Sequence, residues 1–304
     1  MLSIILPSFN EEDNILNTAS VLEELLCGQN IAYELLFVDD GSRDATWQRI
    51  CEASEKDKNV RGLRFSRNFG KESAIFAGLE ASKGDACLVM DCDLQHPPKT
   101  IIEMYKLWQD GAQVIEGKKS SRGKENALYG GFSKLFYKLI KKASGIDMLD
   151  ASDFKLLDRK AVDALLSMPE RVTFFRAMSA WVGFESKNVY FDVDERAYGT
   201  RKWSTRGLIK YAINNLSSYT NLALLLPVFL GGFVSLCALI LIILNIIGLP
   251  LGSLTLGINL LMLIGGMILV SVGVVGYYLW RVFDETRNRP RYIIAKTVGG
   301  KNDR

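Results

Sequence analysis

Ala86-Cys87-Leu88-Val89-Met90-Asp91-Cys92-Asp93-Leu94-Gln95 decides the fold. Five apolar residues run straight into two carboxylates one residue apart. A short apolar run that ends in a polar cluster reads as a strand buried on both faces of a sheet. The same grammar recurs on either side of it. Residues 2–6, 34–38, 60–65 and 113–116 form further apolar runs, and the first two end in Pro7-Ser8-Phe9-Asn10-Glu11 and Asp39-Asp40-Gly41-Ser42. Amphipathic stretches at 11–27, 45–56, 71–82 and 99–109 read as the helices between them. Strands alternating with helices predict an α/β fold with a mostly parallel sheet covered on both faces. Ligands of such sheets bind outside the carboxyl ends of the strands, where the polar clusters lie.

The whole chain has 304 residues, 48% of them hydrophobic, and 37 basic against 34 acidic side chains for a net charge of +3. It is too apolar for disorder, and so small a charge excess argues against nucleic acid as a partner. Five cysteines (27, 51, 87, 92 and 237), with no Cys-x-x-Cys spacing, suggest neither a disulfide framework nor a zinc site, and point to a reducing cytosolic face. Residues 1–10 read as a strand and turn rather than a signal peptide.

The charge is unevenly spread. From Tyr211 to Trp280, 70 consecutive residues carry no Asp, Glu, Lys, Arg or His. Residues 222–247 and 254–280 read as two membrane spans joined by the short turn 248–253, with Pro227 near the start of the first and Gly265, Gly266, Gly273 and Gly276 offering close packing in the second. Residues 203–219 read as an interfacial amphipathic helix with Arg206 and Lys210 on its polar side. Basic residues precede the first span and follow the second, so both termini are expected in the cytoplasm. The expected organisation is a catalytic domain at 1–200, an interfacial segment at 201–221, a two-helix hairpin at 222–280 and a basic tail at 281–304. A second basic amphipathic helix, at 126–143, is either a solvated cover for the sheet or a contact for anionic groups.

Asp91 and Asp93 at a strand end suit a hard divalent cation bridging protein to phosphate, although solvated acidic turns are common. Asp39 or Asp40 could accept hydrogen bonds from a base or ribose; the plain alternative is a turn that caps the next helix. Pro7, Asn10 and Glu11 close the first strand beside the same cleft. Arg67-Asn68-Phe69-Gly70-Lys71 opens a helix and offers a cation for phosphate, or else is a solvated turn. His96, the single histidine, reads as a loop residue rather than a general base.

The ordered set Pro7-x-Phe9-Asn10-Glu11, Val38-Asp39-Asp40-Gly41-Ser42, Arg67-Asn68-x-Gly70-Lys71 and Asp91-x-Asp93-Leu94-Gln95 resembles the family 2 glycosyltransferases, in particular the group that glycosylates polyprenyl phosphates. Ser152-Asp153-Phe154, Met168-Pro169-Glu170-Arg171, the two spans and the tail Arg289-Pro290-Arg291-Tyr292 extend the resemblance over nearly the whole chain. It implies the Rossmann-like GT-A fold for the catalytic domain. It implies that Pro7, Asn10, Glu11, Asp39, Asp40, Lys71, Asp91 and Gln95 bind the nucleotide sugar, with Asp91, Asp93 and Gln95 holding Mg²⁺ or Mn²⁺. Asp153 is expected beside the reacting centre, and Asp153, Asp93 and Lys202 form the catalytic set. Lys118, Lys119, Arg122, Arg196, Arg201 and Lys202 are the cations expected for phosphate, the acceptor's above all. Arg201 departs from the small hydroxyl residue usual before Lys202, and Cys92 is harmless only if its side chain points away.

The reaction so implied is inverting transfer of a sugar, with glucose from UDP-glucose as the first choice, to undecaprenyl phosphate on the cytoplasmic face of the inner membrane. N-acetylhexosamine, galactose, mannose and an aminoarabinose derivative fit the same framework. Close helix packing suggests a homo-oligomer, and similar enzymes suggest a tetramer. A processive polysaccharide synthase is disfavoured because Gln-x-x-Arg-Trp is missing. A non-catalytic membrane scaffold is disfavoured because Asp91, Asp93, Gln95 and Asp153 are all present.

Overall fold

The computed structural model describes residues 1–119, 152–168, 174–192, 253–286 and 289–299. Its first half alternates strictly: β1 (Leu2–Ser8), α1 (Ile15–Gly28), β2 (Tyr33–Asp39), α2 (Thr46–Lys56), β3 (Val60–Phe65), α3 (Lys71–Ala81), β4 (Ala86–Val89), α4 (Pro98–Gln109) and β5 (Val114–Lys119). β6 (Lys155–Asp158), α5 (Arg159–Leu166), α6 (Phe175–Trp181), β7 (Ser186–Phe191), α7 (Ser253–Thr286) and β8 (Ile294–Val298) follow.

The eight strands among the described residues join one sheet in the order β7-β5-β6-β4-β1-β2-β3-β8. Every residue of β1, β2 and β4 is buried, as expected of central strands covered by helices on both faces. β1 pairs in parallel with β2 from Leu2↔Tyr33 to Ser8↔Asp39, so the two strands end together and their polar loops emerge side by side. β4 runs parallel to β1, whereas β6 runs antiparallel to β4 with Val89 opposite Lys155. That reversal places the residues just before β6 beside the residues just after β4. Asp153 and Asp91 thereby reach the same end of the sheet from opposite directions along the chain.

The core explains why these runs fold so. Leu2, Ile4, Leu6, Leu35, Phe37, Leu88, Ile115 and Phe154 are fully buried in one cluster under α1 and α4. Each such side chain stabilises the fold by about 1.5–3 kcal/mol relative to exposure. On the opposite face Leu36, Val38, Leu63 and Phe65 pack against Ala74 and Ala77 of α3. Gly78 lets α3 lie close to the sheet, since a Cβ there would meet Ile5 Cγ2 at 2.3 Å.

Residues 1–203 and 290–304 form one compact unit and residues 204–289 another. The tail is thus more than a basic extension: β8 pairs antiparallel with the edge of β3, Leu63 opposite Thr297. In the second unit, residues 253–286 form the single helix α7 of 34 residues, which contains the expected second span 254–280. Among the described residues no helix is long and apolar enough to cross a membrane, and many side chains of α7 are not among those described. The expected first span, the turn after it, the interfacial helix and the 126–143 helix lie outside the described residues.

Gly41 is the tightest turn in the sheet's polar end. Its φ is +69°, and an added Cβ would lie 2.5 Å from the Arg67 carbonyl carbon. Gly111 has φ +100° but open space around it. Gly41→Ala is therefore expected to destabilise the chain by about 2 kcal/mol or more, and Gly111→Ala by only about 1 kcal/mol. Denaturation of the two purified variants tests this, and equal losses would show that the approach of Arg67 is not limiting.

Candidate active site

The loops after β1 and β2 are knitted together. Asn10, held at φ +54°, donates its backbone N–H to Ser42 Oγ (2.9 Å) and accepts the Arg43 N–H on its side-chain oxygen (3.0 Å). Glu11 donates its backbone N–H to Thr46 Oγ1 (2.8 Å) and accepts from Asn14 Nδ2 (2.6 Å). Asp39 is fully buried. One of its oxygens accepts the Ser42 N–H (2.8 Å) and the other lies 3.3 Å from Arg64 Nε, so it shapes this turn. Pro7 is buried at the end of β1, where its carbonyl faces the Cys92 sulfur at 3.9 Å.

Asp40 is turned toward the next loop. Its carboxylate accepts the backbone N–H groups of Phe69 (2.6 Å) and Gly70 (2.9 Å). Burial, reinforced by the charge of Asp39, pushes its pKa up to about 6 against the pull of those two amides. Gly70, at φ +100°, gives α3 no side-chain cap, so Asp40 anchors the start of that helix from outside it.

Lys71 is the first residue of α3, and its ammonium lies 2.5 Å from Asp91 Oδ1 and 3.0 Å from Asp153 Oδ2. Burial alone would lower its pKa. The two carboxylates outweigh that and hold it firmly protonated. Burial likewise works against the charge on Asp91, and Lys71 outweighs it, keeping the carboxyl below its usual range. Asp153 is also gripped by Arg176 of α6 in a two-toothed fork, Nε to Oδ1 at 2.7 Å and Nη2 to Oδ2 at 2.9 Å. Lys71 and Arg176 together overcome its desolvation and hold its carboxyl far below the ordinary value. A group so acidic is a poor proton acceptor and a good anchor for cations.

The acidic loop is braced from behind. Thr18 of α1 donates to the Cys92 carbonyl (2.6 Å), and the Cys92 side chain is buried in the core, away from the cleft. Leu94 takes φ +55°, and Asp93 Oδ1 accepts the Gln95 N–H (3.2 Å), which closes the turn. His96 is buried and stacked on Phe154 at 4.4 Å, so it is a packing residue of this loop.

Among the described residues no group of three or more His, Cys, Asp or Glu side chains could hold a metal ion. Mg²⁺ needs no such cage when one or two carboxylates share it with substrate phosphates. Asp91 and Asp93 supply the hard oxygen donors this requires, and Asp91 already attracts a cation in Lys71. The donor set therefore fits such an ion.

Pro7, Asn10, Glu11, Asp39, Asp40, Lys71, Asp91, Asp93, Gln95 and Asp153 all lie on strand ends, loops or helix starts at this end of the sheet. Lys118 and Lys119 lie at the end of β5, opposite Tyr190 and Phe191 of β7. Arg122, Arg196, Arg201, Lys202 and residues 169–171 lie outside the described residues. Sequence reasoning missed Arg176 and Glu72. Neither sits in a recognisable motif, although Arg176 opens a short apolar segment that could have been read as a helix. It also missed Lys155, a buried ammonium 3.4 Å from Glu116 and 2.8 Å from Ser179 Oγ, which ties β5, β6 and α6 together.

Comparison with known proteins finds relatives over nearly the whole chain. Residues 3–166 match the family described as Glycosyl transferase family 2. The uncharacterized glycosyltransferase sll0501 of Synechocystis sp. is 34% identical, over 98% of this chain and 96% of its own. The SfII prophage-derived bactoprenol glucosyl transferase of Shigella flexneri is also 34% identical, over 98% of this chain and 99% of its own. Among solved structures, glucosyl-3-phosphoglycerate synthase from Mycobacterium tuberculosis, in complex with Mn²⁺, uridine diphosphate and glucosyl-3-phosphoglycerate, superposes with a TM-score of 0.51. It is 20% identical and covers 72% of this chain and 80% of its own, which establishes a shared fold.

Glu72 gives the site a measurable pH signature. It accepts the Phe175 N–H at the start of α6 (2.8 Å), and burial plus the nearby Asp153 charge push its pKa up to about 7. A carboxyl whose pKa is higher in the folded state binds protons more tightly there. Its contribution is complete below the unfolded value near pH 4.5 and is lost as pH rises through about 7. Glu72→Gln keeps an acceptor for Phe175 without a titrating charge. Relative to the wild type, its stability is expected to gain on the order of 1–3 kcal/mol between pH 5 and pH 8. Thermal denaturation across that range tests it, and parallel pH profiles for the two proteins would refute it.

Proposed function

The chain belongs to glycosyl transferase family 2, and from that premise we propose that it transfers glucose from UDP-glucose to a polyprenyl phosphate, undecaprenyl phosphate, at the cytoplasmic face of the inner membrane. The observation that carries this reading is the convergence of Asp91 and Asp153 on Lys71, with Arg176 behind. Such a cluster suits a site that manages phosphate charge, and Asp153, locked between two cations, is poorly suited to accept a proton. The cluster suits an acceptor that arrives as an anion. A phosphomonoester has its second pKa near 6, so at neutral pH the lipid phosphate is already a nucleophile. The relatives named as bactoprenol glucosyl transferases favour the same acceptor and sugar.

In this mechanism the loops of Asn10, Glu11, Asp39 and Asp40 frame the nucleoside, and Asp91, Asp93 and Gln95 face the diphosphate. A divalent ion on Asp91 and Asp93 would neutralise the leaving diphosphate. Lys71 lies where it can pass from Asp91 to a diphosphate oxygen while Arg176 keeps Asp153 in place. Asp153 orients these cations and the sugar instead of taking a proton. Lys118, Arg122, Arg196, Arg201 and Lys202 hold the acceptor phosphate for in-line attack at the anomeric carbon. One displacement converts an α-linked donor into a β-linked lipid phosphate sugar.

The proposed layout keeps 1–200 as the catalytic domain, 201–221 as the interfacial segment, 222–280 as a membrane hairpin and 281–304 as a cytoplasmic tail whose strand completes the sheet. The 70 uncharged residues support the hairpin. So does the stripe of exposed apolar side chains on α7, among them Leu261, Ile264, Ile268, Val272 and Val275, spaced three and four residues apart. The small residues of the second span favour a homo-oligomer, in line with a tetramer.

The test is transfer by the purified full chain with undecaprenyl phosphate, Mg²⁺ or Mn²⁺ and a panel of labelled UDP- and GDP-sugars. Lipid-linked product from UDP-glucose is expected, and Asp91→Ala is expected to lower its rate at least about 100-fold. Product from another nucleotide sugar would correct the donor. Turnover with no donor in the panel would overturn the reading.

A further inference from the structure

The reaction gives no task to Arg289-Pro290-Arg291-Tyr292 in the tail. The fold gives part of it an address. Tyr292 stacks on Phe65 of β3 with ring centroids 5.0 Å apart and 12° between planes, and its hydroxyl bonds the Glu80 carboxylate. Its ring belongs to the apolar cluster beneath α3, with Ala74, Ala77 and Ala81. The Arg291 guanidinium lies over Phe76, 5.3 Å from the ring centroid, and donates from Nη2 to the Met168 carbonyl at 2.7 Å. Ser66 donates its N–H to the Ile293 carbonyl (3.0 Å), which leads the chain into β8.

Phe76 and Glu80 lie four residues apart and so share one side of α3. Lys71 opens the same helix. That helix lacks a side-chain N-cap, and Asp40 holds only its first turn. The rest of α3 is held against the sheet by its own packing on β1, β2 and β3, and by the wedge supplied from more than 200 residues further along the chain. A slide of α3 would move the backbone that carries the Lys71 ammonium relative to both carboxylates, which hold it at 2.5 and 3.0 Å.

We infer that Arg291 and Tyr292 are positioning residues for Lys71: the tail clamps α3 in the place that lets one ammonium serve Asp91, Asp153 and the donor diphosphate. The inference rests on the proposed use of Lys71 toward a nucleotide diphosphate. It assigns the tail a part in nucleotide binding although the tail need not touch the nucleotide.

A double-mutant cycle on UDP affinity separates this role from general support of the fold. The full chain in detergent is titrated calorimetrically with UDP and Mn²⁺, using the wild type, Lys71→Met, Arg291→Met and the double variant. Lys71→Met is expected to weaken UDP binding about tenfold and Arg291→Met about three- to tenfold, while the double variant stays within about twofold of Lys71→Met. Arg291→Lys, which keeps a cation over Phe76 and a donor for Met168, is expected to return to within about twofold of wild type. If the two single effects multiply in the double variant, or if Arg291→Met binds UDP as wild type does, the clamp is refuted. Should Arg291→Met fail to fold, Tyr292→Phe, which keeps the stack and loses only the Glu80 bond, runs the same cycle under the same criteria. A wild type that binds no UDP, or a Lys71→Met variant that binds it undiminished, would instead refute the functional reading beneath.

Discussion

One ammonium group between two carboxylates organises this molecule. Asp91 leaves β4 and Asp153 enters β6, and the antiparallel pairing of those strands brings the two acids to one place. Like charges so close in a partly buried site repel by several kcal/mol unless a cation is shared between them. Lys71 is that cation, at 2.5 and 3.0 Å. Much of the nearby architecture serves its placement. Asp40 grips the amides that open α3, Arg176 takes the far side of Asp153, and Thr18 pins the loop that carries Asp91.

The same cluster decides what chemistry suits the site. A carboxylate locked between Lys71 and Arg176 has lost most of its basicity, so Asp153 serves better as an electrostatic anchor than as a proton acceptor. That cost is tolerable when the nucleophile brings its own negative charge. A hydroxyl acceptor would call for a base, whereas a lipid phosphate calls for cations that offset repulsion between two anionic substrates. The proposed acceptor and the observed electrostatics thus answer one another.

Much of residues 1–119 was legible because fully buried parallel strands read as unbroken apolar runs. β1 to β5 and α1 to α4 match the expected segments to within a few residues, α1 starting latest because residues 8–12 are committed to the loop bonded to Ser42 and Thr46. The later strands were illegible for physical reasons. β6 is four residues long and carries Lys155 buried in an ion pair, where a charged residue argues against a strand interior. β7 is an edge strand in which only Val189 and Phe191 are buried, and β8 hides among the basic residues of the tail. The acids of the site could be named because they end apolar runs. Arg176 and Glu72 could not, since only the folded chain brings the start of α6 to Glu72 and Arg176 to Asp153.

The central claim is a single direct displacement with no covalent intermediate. The anomeric configuration of the lipid-linked product tests it most directly. The full chain is supplied with a UDP-α-linked sugar and polyprenyl phosphate, and the carbon–phosphate linkage is read by NMR coupling constants. The account predicts a β-linked product alone. An α-linked product would require two displacements or a different geometry of attack, and would contradict it.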